Sequence, residues 1–76
     1  MATKLAKAFG KALRETRRKR EMSLLELATA SGVDRGFIWN LEFGRKNASL
    51  DTVFRLSEAL EVPAADIVKL TAKYLD

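Results

Sequence analysis

The side chains that could carry out catalysis are few in this chain, and their spacing does not suit it. The 76 residues include no Cys and no His, so thiol redox chemistry and the usual zinc and haem ligands are excluded. The acidic residues are scattered singly, and no glycine-rich phosphate-binding loop occurs. Ser23, Ser31 and Ser49 stand where helix caps and turns are expected. The sequence therefore predicts a binding protein rather than an enzyme, with no cofactor and no metal.

The basic residues are concentrated at the start of the chain. Residues 1–20 contain eight Lys or Arg and one acid, a balance of +7, whereas residues 21–76 contain six and nine, a balance of −3. The basic run from Arg17 to Arg20 is either a solvated helix end that complements the helix dipole or a surface that attracts a polyanion. A membrane-surface helix is disfavoured, because the apolar residues of the same segment are needed for the core.

A short segment of the chain predicts two helices joined by a tight turn. Residues 23–44 read SLLELATASGVDRGFIWNLEFG, and Ser23 and Glu26 have the spacing of a capping box, which starts a helix. Gly32 can adopt the left-handed conformation that ends this helix, and Asp34 can cap the next one. A short helix, a glycine-containing turn and a second short helix form the helix-turn-helix unit.

Five helices and no strand are predicted, so the fold class is all-α in a single domain. The helices are expected at about 4–20, 24–30, 35–42, 50–60 after a Ser49 cap, and 63–74, with the helix-turn-helix at about 23–43. Gly44 is expected to end the third helix, and Pro63 to lie in the first turn of the fifth. The residues expected to face inward are Leu5, Phe9, Ala12, Leu13, Leu24, Leu27, Ala28, Ile38, Leu41, Leu50, Val53, Leu56, Leu60, Ile67, Leu70 and Tyr74.

Several short motifs follow one another in a fixed order along most of the chain. They are Ser23-x-x-Glu26-Leu27-Ala28, Gly32-Val33, Ile38, Leu41-Glu42-x-Gly44 and Ser49-Leu50-x-x-Val53-x-x-Leu56-x-x-Ala59-Leu60. Together they resemble the lambda-repressor/Cro-like, or XRE-type, helix-turn-helix family over about residues 5–68. The resemblance implies a compact five-helix DNA-binding domain. Asp34-Arg35 and Arg45-x-Asn47 are particularly similar to the small controllers of restriction-modification operons.

The resemblance implies that the helix beginning near Arg35 enters the DNA major groove. Arg35 is expected to donate two hydrogen bonds to guanine, and Asn40 to pair with adenine or bind a phosphate, unless both are plain surface residues. The family usually has a polar side chain at the position of Gly36, which here removes one contact but lets the backbone approach DNA closely. Arg35, Gly36, Trp39 and Asn40 are the predicted base contacts.

Trp39 is predicted on an outward face, which is unusual, and three interpretations stay open. It could pack locally, against Phe43 or the first helix, or it could contact a thymine methyl group. It could also form a protein-binding patch with Phe43. The last interpretation gives the alternative function, an adaptor or antitoxin-like module that keeps the fold but binds protein.

Phosphate contacts are expected on both sides of the turn. Leu24 stands where the family often carries Gln, but backbone N–H groups at the start of the second helix can still bind a phosphate oxygen. The family touches the DNA backbone with the loop after the helix that begins near Arg35. The basic end of the first helix could reach the same strand. The predicted phosphate contacts are Ser23, Leu24, Arg45, Lys46, Asn47 and Arg17.

A domain of this size makes few base contacts, so a homodimer on two operator half-sites is expected. Ile67, Leu70 and Tyr74 fall on one side of the last helix and are the predicted dimer interface, unless they fold back on the first helix. The sequence thus predicts a cytoplasmic, sequence-specific transcriptional regulator of double-stranded DNA. Its dimer would block or recruit RNA polymerase, and no membrane partner is expected.

Overall fold

Five α-helices account for most of the chain in the computed structural model, which describes residues 3–76. They are α1 Lys4–Lys19, α2 Leu24–Ser31, α3 Arg35–Glu42, α4 Leu50–Ala59 and α5 Ala64–Leu75. Residues 3–76 contain no strand, so the predicted all-α class is confirmed. Pro63 is the N-cap of α5 rather than a residue of its first turn, and each predicted helix end lies within one residue of the observed end.

Short-range signals in the sequence fix where the helices begin and end. The side chains of Asp34 and Ser49 each accept a hydrogen bond, 3.1 Å long, from the N–H group three residues later, as predicted for helix caps. Gly32 and Gly44 both have φ of 71°, the left-handed conformation that ends α2 and follows α3. The turn between α2 and α3 is therefore built as the sequence predicts.

The helices bury their apolar faces in one core. α1 contacts both α3 and α5, while α2 contacts both α3 and α4. The core cluster consists of Phe9, Ala12, Leu13, Leu27, Ile38, Leu41, Val53, Leu56, Leu60 and Ile67. Helical spacing predicted all ten, and those of α1, α3 and the segment from α4 to its cap recur at steps of three and four.

The prediction of Leu5 and Leu50 as core residues is wrong, because 55% and 70% of their surfaces are exposed. Each lies in the first turn of its helix. Leu5 lies about 100° around α1 from the buried Ala6, and Leu50 lies about 60° around α4 from Val53. Both side chains project past the edge of the core, because periodicity gives a direction but not the point where the neighbouring helices stop covering it.

The C-terminal end of α3 lies directly against α1. A Cβ atom added at Gly10 would lie only 2.3 Å from the carbonyl oxygen of Leu41, so only glycine allows this approach. A Cβ atom added at Gly44 would lie 2.8 Å from the Cα atom of Lys7. These two close backbone contacts fix the position of the C-terminal end of α3 relative to α1.

Candidate nucleic-acid interface

The start of α2 is closed by the predicted capping box. The Ser23 N–H donates to the Glu26 carboxylate at 2.8 Å, and the Glu26 N–H donates to the Ser23 hydroxyl oxygen at 3.0 Å. The bond from the Ser23 backbone lowers the pKa of Glu26. The backbone N–H of Ser23 is therefore already used, whereas the N–H groups of Leu24 and Leu25 lie in the first turn, where no intrahelical acceptor exists.

A groove opens where α2 and α3 begin, and it brings five of the ten predicted DNA contacts together. Its lining residues are Ser23, Leu24, Leu25, Arg35, Gly36 and Trp39. Sequence reasoning singled out every one of these except Leu25, whose side chain is 58% exposed. The sequence did contain a signal for Leu25. It lies about 160° around α2 from the buried Leu27, so its side chain points outward, and it serves neither as a cap nor in the core.

Arg35 and Gly36 form the exposed first turn of α3. Arg35 takes part in none of the ion pairs found within residues 3–76, so its guanidinium group is free to bind a ligand. A Cβ atom at Gly36 would have one close neighbour, the Oδ2 atom of Asp34 at 3.1 Å. The backbone of α3 is thus uncovered at this end.

The aromatic side chains of α3 and its cap contact each other on the surface. The rings of Trp39 and Phe43 have centroids 4.6 Å apart and are tilted by 42°. The Arg45 guanidinium lies 5.4 Å from the centre of the Phe43 ring, within the range of a cation–π contact. Packing with Phe43 therefore accounts for part of the Trp39 surface, but 46% of Trp39 and 47% of Phe43 stay exposed.

The loop after α3 presents polar side chains beside this aromatic pair. Arg45 donates its backbone N–H to the Asn40 carbonyl at 2.9 Å, which closes the end of the helix. Asn40 is half-buried, while Arg45, Lys46 and Asn47 are exposed. Neither Arg45 nor Lys46 belongs to any ion pair within residues 3–76. The loop thus carries two cations that form no ion pair within residues 3–76, next to the C-terminal end of α3.

Arg17 is the one predicted phosphate contact that the structure contradicts. Its guanidinium donates to both carboxylate oxygens of Glu42, at 2.6 and 3.0 Å, and to the carbonyl oxygen of Met22 at 2.8 Å. The side chains of Arg17 and Glu42 are 12% and 4% exposed, and the hydrogen bonds to Glu42 raise the pKa of Arg17. Arg17 therefore fastens α1 to the end of α3 and is not available to DNA.

The predicted dimer stripe on α5 mostly folds back onto the chain itself. Ile67 is 1% exposed and belongs to the core, so its prediction as an interface residue is wrong. The Tyr74 hydroxyl donates a hydrogen bond to the Glu15 carboxylate, which raises the pKa of Tyr74 and lowers that of Glu15. Lys11 places its Nζ atom 4.4 Å from the Tyr74 ring centre. Leu70 is half-buried, because the stripe lies against α1.

A different apolar surface is exposed on α4 and α5. Leu50, Phe54 and Val68 are 70%, 57% and 53% exposed. Phe54 lines a groove together with Ala64, and Val68 follows Ala64 by one helical turn. Leu50 precedes Phe54 by one turn in the same way. These residues form the outer face of α4 and α5.

None of the helices in residues 3–76 combines the length and apolar character needed to cross a bilayer. Within the same residues, no three metal-ligating side chains come together.

A family model matches most of the chain. The model for the helix-turn-helix family HTH_3 aligns with residues 13–67, which include the whole groove and the loop after α3.

Two groups of curated relatives match over different shares of their length. A protein of Methanococcus vannielii, provisionally named an HTH-type transcriptional regulatory protein, is 39% identical over 62 residues, which are 82% of this chain and 19% of that protein. The chain thus spans about a fifth of the length of this relative. Control protein C.BamHI of Bacillus amyloliquefaciens is 33% identical over 72 residues, which are 93% of this chain and 89% of that protein.

A solved structure shows the same arrangement of helices. The restriction-modification controller protein C.AhdI from Aeromonas hydrophila superposes with a TM-score of 0.79 at 34% identity, covering 82% of this chain and 94% of that chain.

Proposed function

The chain belongs to the helix-turn-helix family, and on this premise we propose that it is a sequence-specific transcriptional regulator that binds double-stranded DNA as a homodimer. The observation that carries the proposal is the groove where α2 and α3 begin, which collects five of the residues singled out for DNA contact. The extensive matches to C.BamHI and C.AhdI support a regulator of the restriction-modification controller class.

In the proposed complex the N-terminal end of α3 enters the major groove. Arg35 extends from this end with no partner in residues 3–76 and has the geometry to bind guanine through two hydrogen bonds. Asn40 lies one turn later and, being half-buried, reaches a base or a phosphate only at the edge of the contact. The exposed backbone at Gly36 allows close approach of the helix to the bases.

Phosphate groups on either side of the major groove would be held by the start of α2 and by the loop after α3. The backbone N–H groups of Leu24 and Leu25 are free donors at the helix N-terminus, where the helix dipole favours an anion. The Ser23 hydroxyl accepts from Glu26, so its own proton remains available to a phosphate oxygen. Lys46 and Asn47, in the loop after α3, would contact the opposite strand.

We propose the outer face of α4 and α5 as the dimer interface, in place of the stripe that contained Ile67. The exposed Leu50, Phe54 and Val68 offer apolar side chains that can meet their own copies around a two-fold axis. Two domains joined in this way would read half-sites spaced by roughly 34–36 Å or a multiple of it. Sedimentation of Phe54→Glu should show a shift from dimer to monomer with helix content retained, and an unshifted dimer would contradict this interface.

Such a dimer would act by occupancy in the cytoplasm, through binding and without catalysis. Bound beside a promoter, it either blocks or recruits RNA polymerase.

Selection of bound sites from random duplex DNA tests the proposal. The expected result is one enriched motif with two-fold symmetry, bound more tightly as the salt concentration falls. A chain that enriches no motif, and whose affinity for DNA does not rise at low salt, would contradict the proposed function and favour the protein-binding alternative at Trp39 and Phe43.

A further inference from the structure

The groove at the start of α2 and α3 is largely apolar, although it lies between cations. Leu25 and Trp39 face it with 58% and 46% of their surfaces exposed. Arg35 lines the same groove, and Arg45 lies beyond Trp39, over the ring of Phe43. An apolar surface framed by positive charge matches a partner that carries apolar groups between rows of negative charge.

Neither apolar side chain is needed by the core. The buried residue of α2 is Leu27, and those of α3 are Ile38 and Leu41. Leu25 and Trp39 lie on the other side of these helices and leave a large apolar area in water. That exposure is unfavourable for the free chain, so it points to an occupant.

Few groups in the groove can read a base through hydrogen bonds. The Ser23 N–H is held by Glu26, and Gly36 contributes no side chain. Arg35 is the only charged side chain that lines the groove within residues 3–76. Recognition by hydrogen bonds alone would therefore rest on very few contacts.

We propose that Leu25 and Trp39 form a clamp for the 5-methyl group of thymine in the major groove, so that the protein reads methyl groups as well as hydrogen bonds. This inference rests on the proposed DNA-binding function. The methyl group is the one apolar group that base edges present in the major groove, and phosphates border it on both sides. Leu25 extends the contact from α3 to α2, so that the two helices approach the base edges from different directions.

Deoxyuridine provides a direct test, because it differs from thymidine only by the absence of this methyl group. Sites selected from random DNA would be made with single thymine-to-uracil replacements, and the dissociation constant would be measured for each. Burial of one methyl group corresponds to about fourfold in affinity, so each clamped thymine should show about that loss with the wild-type chain. Thymines elsewhere in the site should show no change.

Variants then test the two sides of the clamp. In Trp39→Ala and in Leu25→Ala the ratio of uracil to thymine dissociation constants should fall towards one at the thymine that the clamp holds. Leu75→Ala serves as the matched control, since Leu75 is a 39% exposed leucine near the end of α5 and should leave every ratio unchanged. Melting curves of all three variants check that they remain folded, and the wild-type measurement requires no variant at all.

The outcomes separate this inference from the proposed function. Selective binding with no thymine whose replacement matters, or ratios that persist in both clamp variants, would overturn the methyl clamp and leave DNA recognition intact. A chain that selects no DNA at all would overturn both.

Discussion

The two ends of α3 differ sharply in how their surfaces are used. At the C-terminal end, Glu42 is held by Arg17 through two hydrogen bonds, and the backbone of Gly10 lies against the last carbonyl groups. At the N-terminal end, Arg35 has no partner within residues 3–76, and Gly36 faces an open groove. One end is packed against the chain itself, and the other is exposed.

This difference fits our proposal that the N-terminal end of α3 reads DNA. With eight residues, α3 is too short to be stable alone, so it must be held by its neighbours. The contacts with α1 hold one end firmly and leave the side chains of the other end free, which is the arrangement that precise binding requires.

The largest effect is expected when the buried ion pair at the held end is broken. Arg17→Met would leave the carboxylate of Glu42, 4% exposed, without its partner. Loss of one member of a buried pair costs about 3–5 kcal/mol, so the free energy of unfolding, measured with urea, should fall by about that amount. Arg20→Met is the matched control, because Arg20 and Glu61 are 45% and 77% exposed and exposed pairs contribute less than about 1 kcal/mol. Equal losses in the two variants would contradict the distinction.

A smaller effect on stability is expected when a glycine is replaced by alanine at each end of α3 in turn. Gly10→Ala would place a Cβ atom 2.3 Å from the Leu41 carbonyl oxygen, so α1 and α3 must move apart. Overpacking of this kind destabilises by about 1–3 kcal/mol. Gly36→Ala meets only the Oδ2 atom of Asp34, 3.1 Å away, which accepts the capping hydrogen bond from Phe37. A small shift of this cap offsets the gain in helix propensity, so stability should change by less than about 1 kcal/mol. Thermal unfolding should therefore show a clear loss for Gly10→Ala and little change for Gly36→Ala, and a similar loss in both would refute the comparison.

The smallest effect concerns the loop beyond the held end. Lys46 is exposed, so its replacement should leave the melting temperature unchanged. As a phosphate ligand, Lys46→Ala should weaken binding to all DNA sequences alike and reduce the slope of log affinity against log salt by about 1. Lys4→Ala, on the first turn of α1, is a control for loss of charge alone. An unchanged slope would make Lys46 an ordinary surface charge.

The local features of the fold were predictable from the sequence, and the long-range ones were not. The caps at Ser23 and Asp34 and the left-handed Gly32 depend on residues within one turn, so their patterns are visible in the chain. Arg17 and Glu42 are 25 residues apart, and no spacing rule links them, so a residue predicted to touch phosphate is part of the scaffold.

The same limit applies to the faces of the helices. Periodicity placed Ile67 on a stripe with Leu70, but it could not show that α1 covers that stripe. It also gave Leu5 and Leu50 the right side of their helices without showing that the core ends before them. Leu25 is the reverse case, because its outward direction was readable while its place in the groove depends on how α2 and α3 pack.

The most direct test of the account is the affinity of Arg35→Ala for a selected site and for random duplex DNA, measured side by side. Because Arg35 lies at the open end of α3 and has no partner within residues 3–76, the variant should melt at the wild-type temperature. Binding to the selected site should weaken by about 1–3 kcal/mol, with relaxed preference at one base pair, while binding to random DNA changes little. Equal weakening on both DNAs, or none on either, would contradict the claim that this end of α3 reads the base sequence.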